Sequence, residues 1–347
     1  MSNLTDGGNN VAVGHNALSA ITDHSYCTAV GVAALESNAN AHANTAVGYK
    51  ALMSNTTGGD NTATGFKALD VNTTGSNNTA FGCDSLGANT TGYDNTSVGM
   101  NALKTLTTGY KNTCVGKSAG FDLTDSVGNT LVGNEAGVNL ASSHNNVAVG
   151  NGSLSAATSG SNNTSVGTSA GDVITTGATN VCVGYNTDAS ASHVNNTICI
   201  GSNITSEGNR FSFGKPSNVV YNDFGSNNSW TRSSDERKKT DIADATLGLD
   251  FINDLRTITY KWKRSQDIPN TLDDYDADTN HMDTSITMHG MLAQEVKSAL
   301  DTAGVTTFGG WAEERDGSQS LSQEMFIYPL IKAIQELSAK VKALEEA

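Results

Sequence analysis

Twelve glycines set the register of this chain. Gly14, Gly31, Gly48, Gly65, Gly82, Gly99, Gly116, Gly133, Gly150, Gly167, Gly184 and Gly201 follow one another at a constant step of 17 residues, with no insertion. A globular core has no reason to keep such a period. A stack of equivalent coils does, because each coil must repeat the contacts of the one before it.

The positions around each glycine describe one coil. Immediately before it stands Val in most coils, with Ile200, Thr64 and Phe81 as variants. Two before it the residue is mostly Ala, Ser or Cys, and three before it Thr or another β-branched residue. This composition predicts a short strand. Four before it stands Asn in ten coils, from Asn10 to Asn180, and stacked Asn side chains can hydrogen-bond along a ladder. Four after it stands Leu (Leu18, Leu35, Leu52, Leu69, Leu86, Leu103, Leu154) or often Gly, as in Ser118–Gly120 and Ser169–Gly171. Thr-Thr-Gly runs such as Thr56–Gly58 supply turns. Seventeen residues leave room for two or three short strands per coil. At ~4.8 Å per coil the repeat predicts a solenoid about 55 Å long. A single coil carries few apolar side chains, so chains are expected to share an axial core as a homotrimer.

Composition excludes several classes of function. The net charge of −15 opposes a duplex-binding surface, which needs a basic footprint, so no nucleic acid is expected as a partner. No apolar run is long enough to insert in a membrane. The N-terminus, MSNLTDGGNN, lacks the basic and apolar regions of a secretory signal. The five cysteines form no CxxC motif and read as reduced thiols made in a cytoplasm. Cys114, Cys182 and Cys199 fall two before a repeat glycine, Cys27 takes an Asn position and Cys83 follows a glycine; all five are expected to be small core residues. The seven histidines share no metal spacing, so neither a metal nor a cofactor is expected.

Charge density divides the chain. Residues 1–233 carry 8 basic and 14 acidic residues; residues 234–347 carry 12 and 21. The expected organisation is an N-terminal tail (1–9), a rod of twelve repeats (10–205), a transition segment (206–233) and a C-terminal α+β domain (234–347) ending in a helix over 325–345. In that helix Ile327, Leu330, Ile334, Leu337, Val341 and Leu344 step by three and four, an a/d seam of a coiled coil suited to clamping a trimer. The alternative is one amphipathic helix packed on its own subunit. The segment 272–283 spaces Asp274, Asp276 and Asp278 like a calcium loop but lacks the glycine and the closing glutamate, which favours an exposed acidic loop.

Two resemblances follow. The coil repeat resembles the head repeats of trimeric autotransporter adhesins and of phage and algal-virus fibre proteins, which implies a fibrous, surface-exposed trimer. Ser234–Ile242 (SDERKKTDI), Thr257–Trp262 (TITYKW), His289–Val296 (HGMLAQEV) and the closing segment Tyr328–Leu344 resemble, in order, the motifs of the peptidase S74 family, the intramolecular chaperone domains of phage tail spikes and fibres. The resemblance implies a domain that assembles as a trimer, templates the fibre ahead of it, and cuts itself off between Ser233 and Ser234. It implies Ser234 as nucleophile and Lys239 as its partner base. His289 is a candidate for polarising the scissile carbonyl, with capping a strand as the alternative. Gln294 and Glu295 suit trimer contacts better than chemistry.

The expected function is that of a virion tail-fibre or spike protein, made in the host cytoplasm. Its partners would be its own copies, a host surface receptor (glycan or protein), and a further fibre or baseplate protein at its N-terminus. A polysaccharide-degrading tailspike needs convergent carboxylates, and Asp60, Asp84, Asp94, Glu135 and Asp172 recur at no catalytic spacing. The remaining alternative is an adhesive or surface-binding rod with a permanent trimerisation cap.

Overall fold

The computed structural model describes residues 7–216, 218–224, 231–232 and 236–347. The chain divides into two units, Met1–Ser234 and Asp235–Ala347.

The first unit is a parallel β-solenoid. Coil after coil contributes one three-residue strand, from Val11–Val13 and Thr28–Val30 to Val181–Val183. Each pairs in parallel with its equivalent 17 residues on, as Thr45 with Thr62 and Val47 with Thr64. Most coils form this one strand rather than two or three. The reason is backbone handedness. In the coil around Gly48, Ala43, Lys50 and Leu52 all have φ between 51° and 56°, and an extended run cannot pass through a left-handed residue. Hydrogen bonds between coils nevertheless continue through the turns, as from Leu52 N–H to the Ala68 carbonyl (3.0 Å) and from Thr56 N–H to that of Thr73 (2.9 Å).

The 17-residue step ends at Gly201, but the sheet does not. Strand Thr197–Gly201 pairs in parallel with Arg210–Lys215, with Gly201 opposite Gly214, so one further coil is shortened to 13 residues. Gly214 has φ +135°, the conformation of the repeat glycines. The chain then reverses: Arg210–Lys215 pairs antiparallel with Asn218–Asp223, which pairs with Thr231–Arg232.

The repeat glycines are fixed by two demands at once. Gly82 has φ +138°, which L side chains rarely adopt. A Cβ on it would also lie 2.5 Å from the carbonyl oxygen of Gly99 in the next coil. Backbone touches backbone at this corner, so any side chain would force the coils apart.

The position four after the glycine explains why Leu and Gly alternate there. Leu18, Leu35, Leu52, Leu69, Leu86, Leu103 and Leu154 are fully buried, yet φ lies between 49° and 53°. Gly120, Gly137 and Gly171 take the same handedness without strain. Where Gly stands, neighbours fill the core: a Cβ on Gly120 would meet Leu123 and Leu131 at 2.9 Å. Burial of Leu at this position therefore outweighs a left-handed backbone that costs on the order of 1 kcal/mol.

Two Asn ladders run inside the coils. In the first, Asn44 Oδ1 accepts the backbone N–H of Asn61 (2.9 Å), and Asn44 Nδ2 donates to the Gly58 carbonyl (2.9 Å). The pattern recurs to Asn180, whose Oδ1 accepts the N–H of Thr197 (3.0 Å). The second ladder was not anticipated. Asn38, Asn55, Asn72 and Asn89, seven after a glycine, are fully buried and hydrogen-bond amide to amide at 2.7–2.9 Å. It stops where Leu106 takes the position, and Asn89 Oδ1 is left a buried acceptor without a partner among the described residues.

Cys27, Cys114, Cys182 and Cys199 are buried core thiols; burial pushes Cys199 up to about 11. Cys83 departs from the expectation: it is only half-buried, because the position after the glycine faces outward. One carboxylate is also buried. Asp188, four after Gly184, is 3 % exposed, accepts the N–H of Val173 (3.1 Å) and hydrogen-bonds Asp172. Burial, then the neighbouring carboxyl, raises its pKa well above the ordinary range.

The second unit is α+β. Its core joins Leu247, just before helix α1 (Leu249–Asp254), with Phe251 of α1, Val296 and Leu300 of α2 (Ala293–Thr302) and Phe326 at the approach to α3 (Ile327–Glu345). Phe308 meets Phe326 edge-on at 5.3 Å. Two short antiparallel pairs complete it, Ile258–Tyr260 with Met288–Gly290 and Trp311–Glu313 with Gln319–Leu321.

Two predictions follow from this packing. Leu103→Ala should cost about 2–5 kcal/mol. Leu103→Gly should cost no more, because glycine relieves the left-handed backbone that alanine retains; denaturant midpoints of the two variants decide it. Asp188 should make the solenoid more stable in acid. Between pH ~4, where an unfolded Asp ionises, and its raised folded pKa, only the folded state keeps the proton, so stability falls as pH rises through that window. Asp188→Asn should flatten the fall, read as thermal midpoints at pH 5 and pH 8.

Candidate functional site

The residues that could process or assemble the chain fall in the 234–242 motif, in the strand pair before α2 and along α3. Ser233 and Ser234 lie outside the described residues. The described part of the motif begins as a single 3-10 turn, Glu236–Lys238, closed by a hydrogen bond from Lys239 N–H to the Glu236 carbonyl (3.0 Å). Glu236, Arg237 and Lys239 are exposed.

Two of the distant motifs meet. His289 stands opposite Thr259 and Gly290 opposite Ile258, so the ITY of TITYKW and the MHG before α2 form one strand pair. Gly290 admits the Tyr260 ring, which a Cβ would meet at 3.3 Å. His289 is exposed on this pair. Beside it a largely apolar hollow of about 470 Å³ is lined by Ile258, Tyr260, Trp262, Leu292 and Leu321 together with Gln294. Glu295 is held within its own chain: Arg256 Nε donates to its Oε2 (3.1 Å), and this guanidinium holds the carboxyl below its usual range. The pair is exposed and adds little stability.

The acidic loop closes on itself. Asp276 accepts the N–H groups of Asp278 and Thr279 (2.9 Å each) and faces His281 Nε2 (2.8 Å). These bonds hold it at about 2, well below the ordinary carboxylate range. Among the described residues no three His, Cys, Asp or Glu side chains converge as metal ligands.

Helix α3 uses one face internally and leaves another bare. Pro329 and Ala333 are buried, and Glu336 Oε2 accepts the N–H of Leu249 at the start of α1 (2.8 Å). The predicted seam remains open: Ile327, Leu330, Ile334, Leu337, Val341 and Leu344 are 44–78 % exposed. The helix thus packs on its own subunit, but through residues other than its heptad stripe. Sequence reading missed the Glu336 cap, since an acid pairing with a backbone 87 residues away leaves no local signal.

Residues 234–305 match the family model Peptidase_S74, chaperone of endosialidase. The match begins at Ser234, takes in the strand pair and reaches just past α2; the second strand pair and α3 follow it. Peptidase_S74 domains are self-cleaving chaperones of phage tail proteins. A Peptidase_S74 region behind a β-solenoid fits a tail-fibre or tailspike-like protein. No curated protein and no solved structure matches the chain. No helix among the described residues is long and apolar enough to cross a membrane.

Proposed function

We propose that this chain is a trimeric viral host-attachment fibre whose C-terminal domain directs trimerisation and then cuts itself off between Ser233 and Ser234. The observation that carries this reading is the Peptidase_S74 match, which starts at Ser234 and follows a solenoid of repeating coils in the sequence. The bare heptad stripe of α3 supports the trimer: six large apolar side chains on one seam want partner helices.

Chaperone and fibre suit each other physically. Three repetitive chains can pair one coil out of step and still look almost native, because a 17-residue shift restores nearly every contact. A clamp at one end sets the register, and its later removal makes the assembled state kinetically hard to reverse.

The chemistry balances as an acyl shift followed by hydrolysis. Lys239, as a neutral amine, takes the Ser234 hydroxyl proton, and Oγ attacks the Ser233 carbonyl carbon. The C–N bond breaks as the Ser234 amine takes a proton, which leaves an ester between Ser233 and Oγ. Water then cleaves the ester, giving a Ser233 carboxylate and a free Ser234 N-terminus. His289 serves as a donor to the developing oxyanion. The reaction runs once, in cis. The remaining partners of this reading are a host glycan or surface protein and a fibre or baseplate protein at the N-terminus.

Intact mass of freshly expressed wild type should show two fragments split at Ser233–Ser234. Ser234→Ala and Lys239→Ala should each remain a single chain. A wild type that stays whole at 35.9 kDa while trimeric by sedimentation would leave a non-cleaving rod with a permanent cap. Ile334→Asp together with Leu337→Asp should give uncleaved monomers.

A further inference from the structure

The coil strands carry an outward face that the described residues leave exposed or half-exposed. The middle residue of each three-residue coil strand points inward; Ala12 in the first is half-buried and the rest are buried, as Ala46, Cys114 and Cys182 are. The first and third point outward, giving a Thr column and a Val column along the sheet. Val13 and Phe81 are each 58 % exposed, Ile200 is 40 % and Phe213 is 38 %. The column just after the glycine widens the strip in the early coils with Val32, Tyr49, Phe66 and Met100, all exposed; Tyr49 stacks on Phe66 at 5.3 Å.

No charged residue stands at either strand column, from Val11–Val13 through Phe211 and Phe213. Most of the solenoid's charges lie on its turns, as Lys50, Lys67, Asp84 and Glu135 two after a glycine and Asp60 and Asp94 five before one; Lys117 stands beside the strip, and Arg210 and Lys215 end the last strand. In a chain of net charge −15, this is the long surface on which identical copies meet without like-charge repulsion. Thirteen parallel strands at ~4.8 Å make it about 60 Å long, and two columns with their side chains about 10–12 Å wide. That is a neutral footprint of roughly 600–700 Å², half of it threonine, close to the ~800 Å² per partner of a stable interface.

We infer that the Thr and Val columns of the coil strands are the surface along which copies of this chain pack against one another, in register, for the length of the solenoid. The occupant is a second copy because the strip repeats at the rise of the coil itself. A partner must offer the same rise and an equally neutral face, and another solenoid of this sequence does both. This inference rests on the trimer reading above and places its axial contact on named residues.

The test uses full-length chain carrying Cys83→Ser, so that the remaining native thiols are the buried ones. Val98→Cys on the strip and Thr108→Cys on an exposed turn are oxidised in parallel, with assembly mass measured by sedimentation. Equivalent cysteines bridge only where their Cα atoms come within about 7 Å, so Val98→Cys should give covalent dimers about ten-fold or more above Thr108→Cys. An assembled chain in which Val98→Cys and Val115→Cys do not cross-link, or cross-link no better than Thr108→Cys, overturns the strip and leaves the trimer reading standing. A chain that sediments as a monomer overturns both.

Discussion

The solenoid depends on one close approach: the corner where a repeat glycine lies against the carbonyl of the glycine in the next coil. With no room there for even a methyl group, the two coils are locked at one separation and one rotation. Every other regularity follows from that lock. The strand before the glycine pairs in parallel, the left-handed residue four after it drops its side chain into the core, and the Asn four before it meets the next backbone N–H. From Gly14 to Gly201 no insertion interrupts the step, and even the shortened coil that ends at Gly214 keeps the glycine corner and the parallel pairing.

Polar and apolar interiors divide the work along the stack. In the early coils Asn38 to Asn89 fill the inner position with amide ladders; from Leu106 onward Leu, Ala and Ile fill it by packing. The switch strands one acceptor, Asn89 Oδ1, whose unmet desolvation costs about 1–3 kcal/mol. Asp188, four after Gly184, adds a second polar exception, a carboxyl kept in the core by Asp172 and the Val173 amide. The coils are equivalent in backbone but not in chemistry, so local stability and its pH response differ along the length.

Much of this was legible in sequence. The step of 17, the strand before each glycine, the Asn column and the α3 heptads needed only alignment, because periodicity reports side-chain direction. Three features were hidden for physical reasons. The number of strands per coil depends on left-handed residues such as Lys50 and Leu52, whose types give no sign of their φ. The shortened coil at Gly214 keeps the glycine corner but loses the period that would expose it. The Asn38 column could have been found by aligning the position seven after each glycine, where four Asn interrupt a run of Ile and Leu. In the second unit, motif order was readable, but the pairing of ITY with MHG and the Glu336–Leu249 bond join distant segments with no local pattern.

A parallel stack has an inherent hazard: its last strand shows unpaired N–H and C=O groups to any extended chain that arrives. After Gly214 the chain turns back on itself, and Asn218–Asp223 lies antiparallel across that edge, with Thr231–Arg232 beyond it. The reversal changes the direction of hydrogen bonding, so a parallel coil from another molecule finds no matching template at this end. The hairpin works as an end-stop, letting a sequence built to repeat finish without recruiting its neighbours into open-ended filaments.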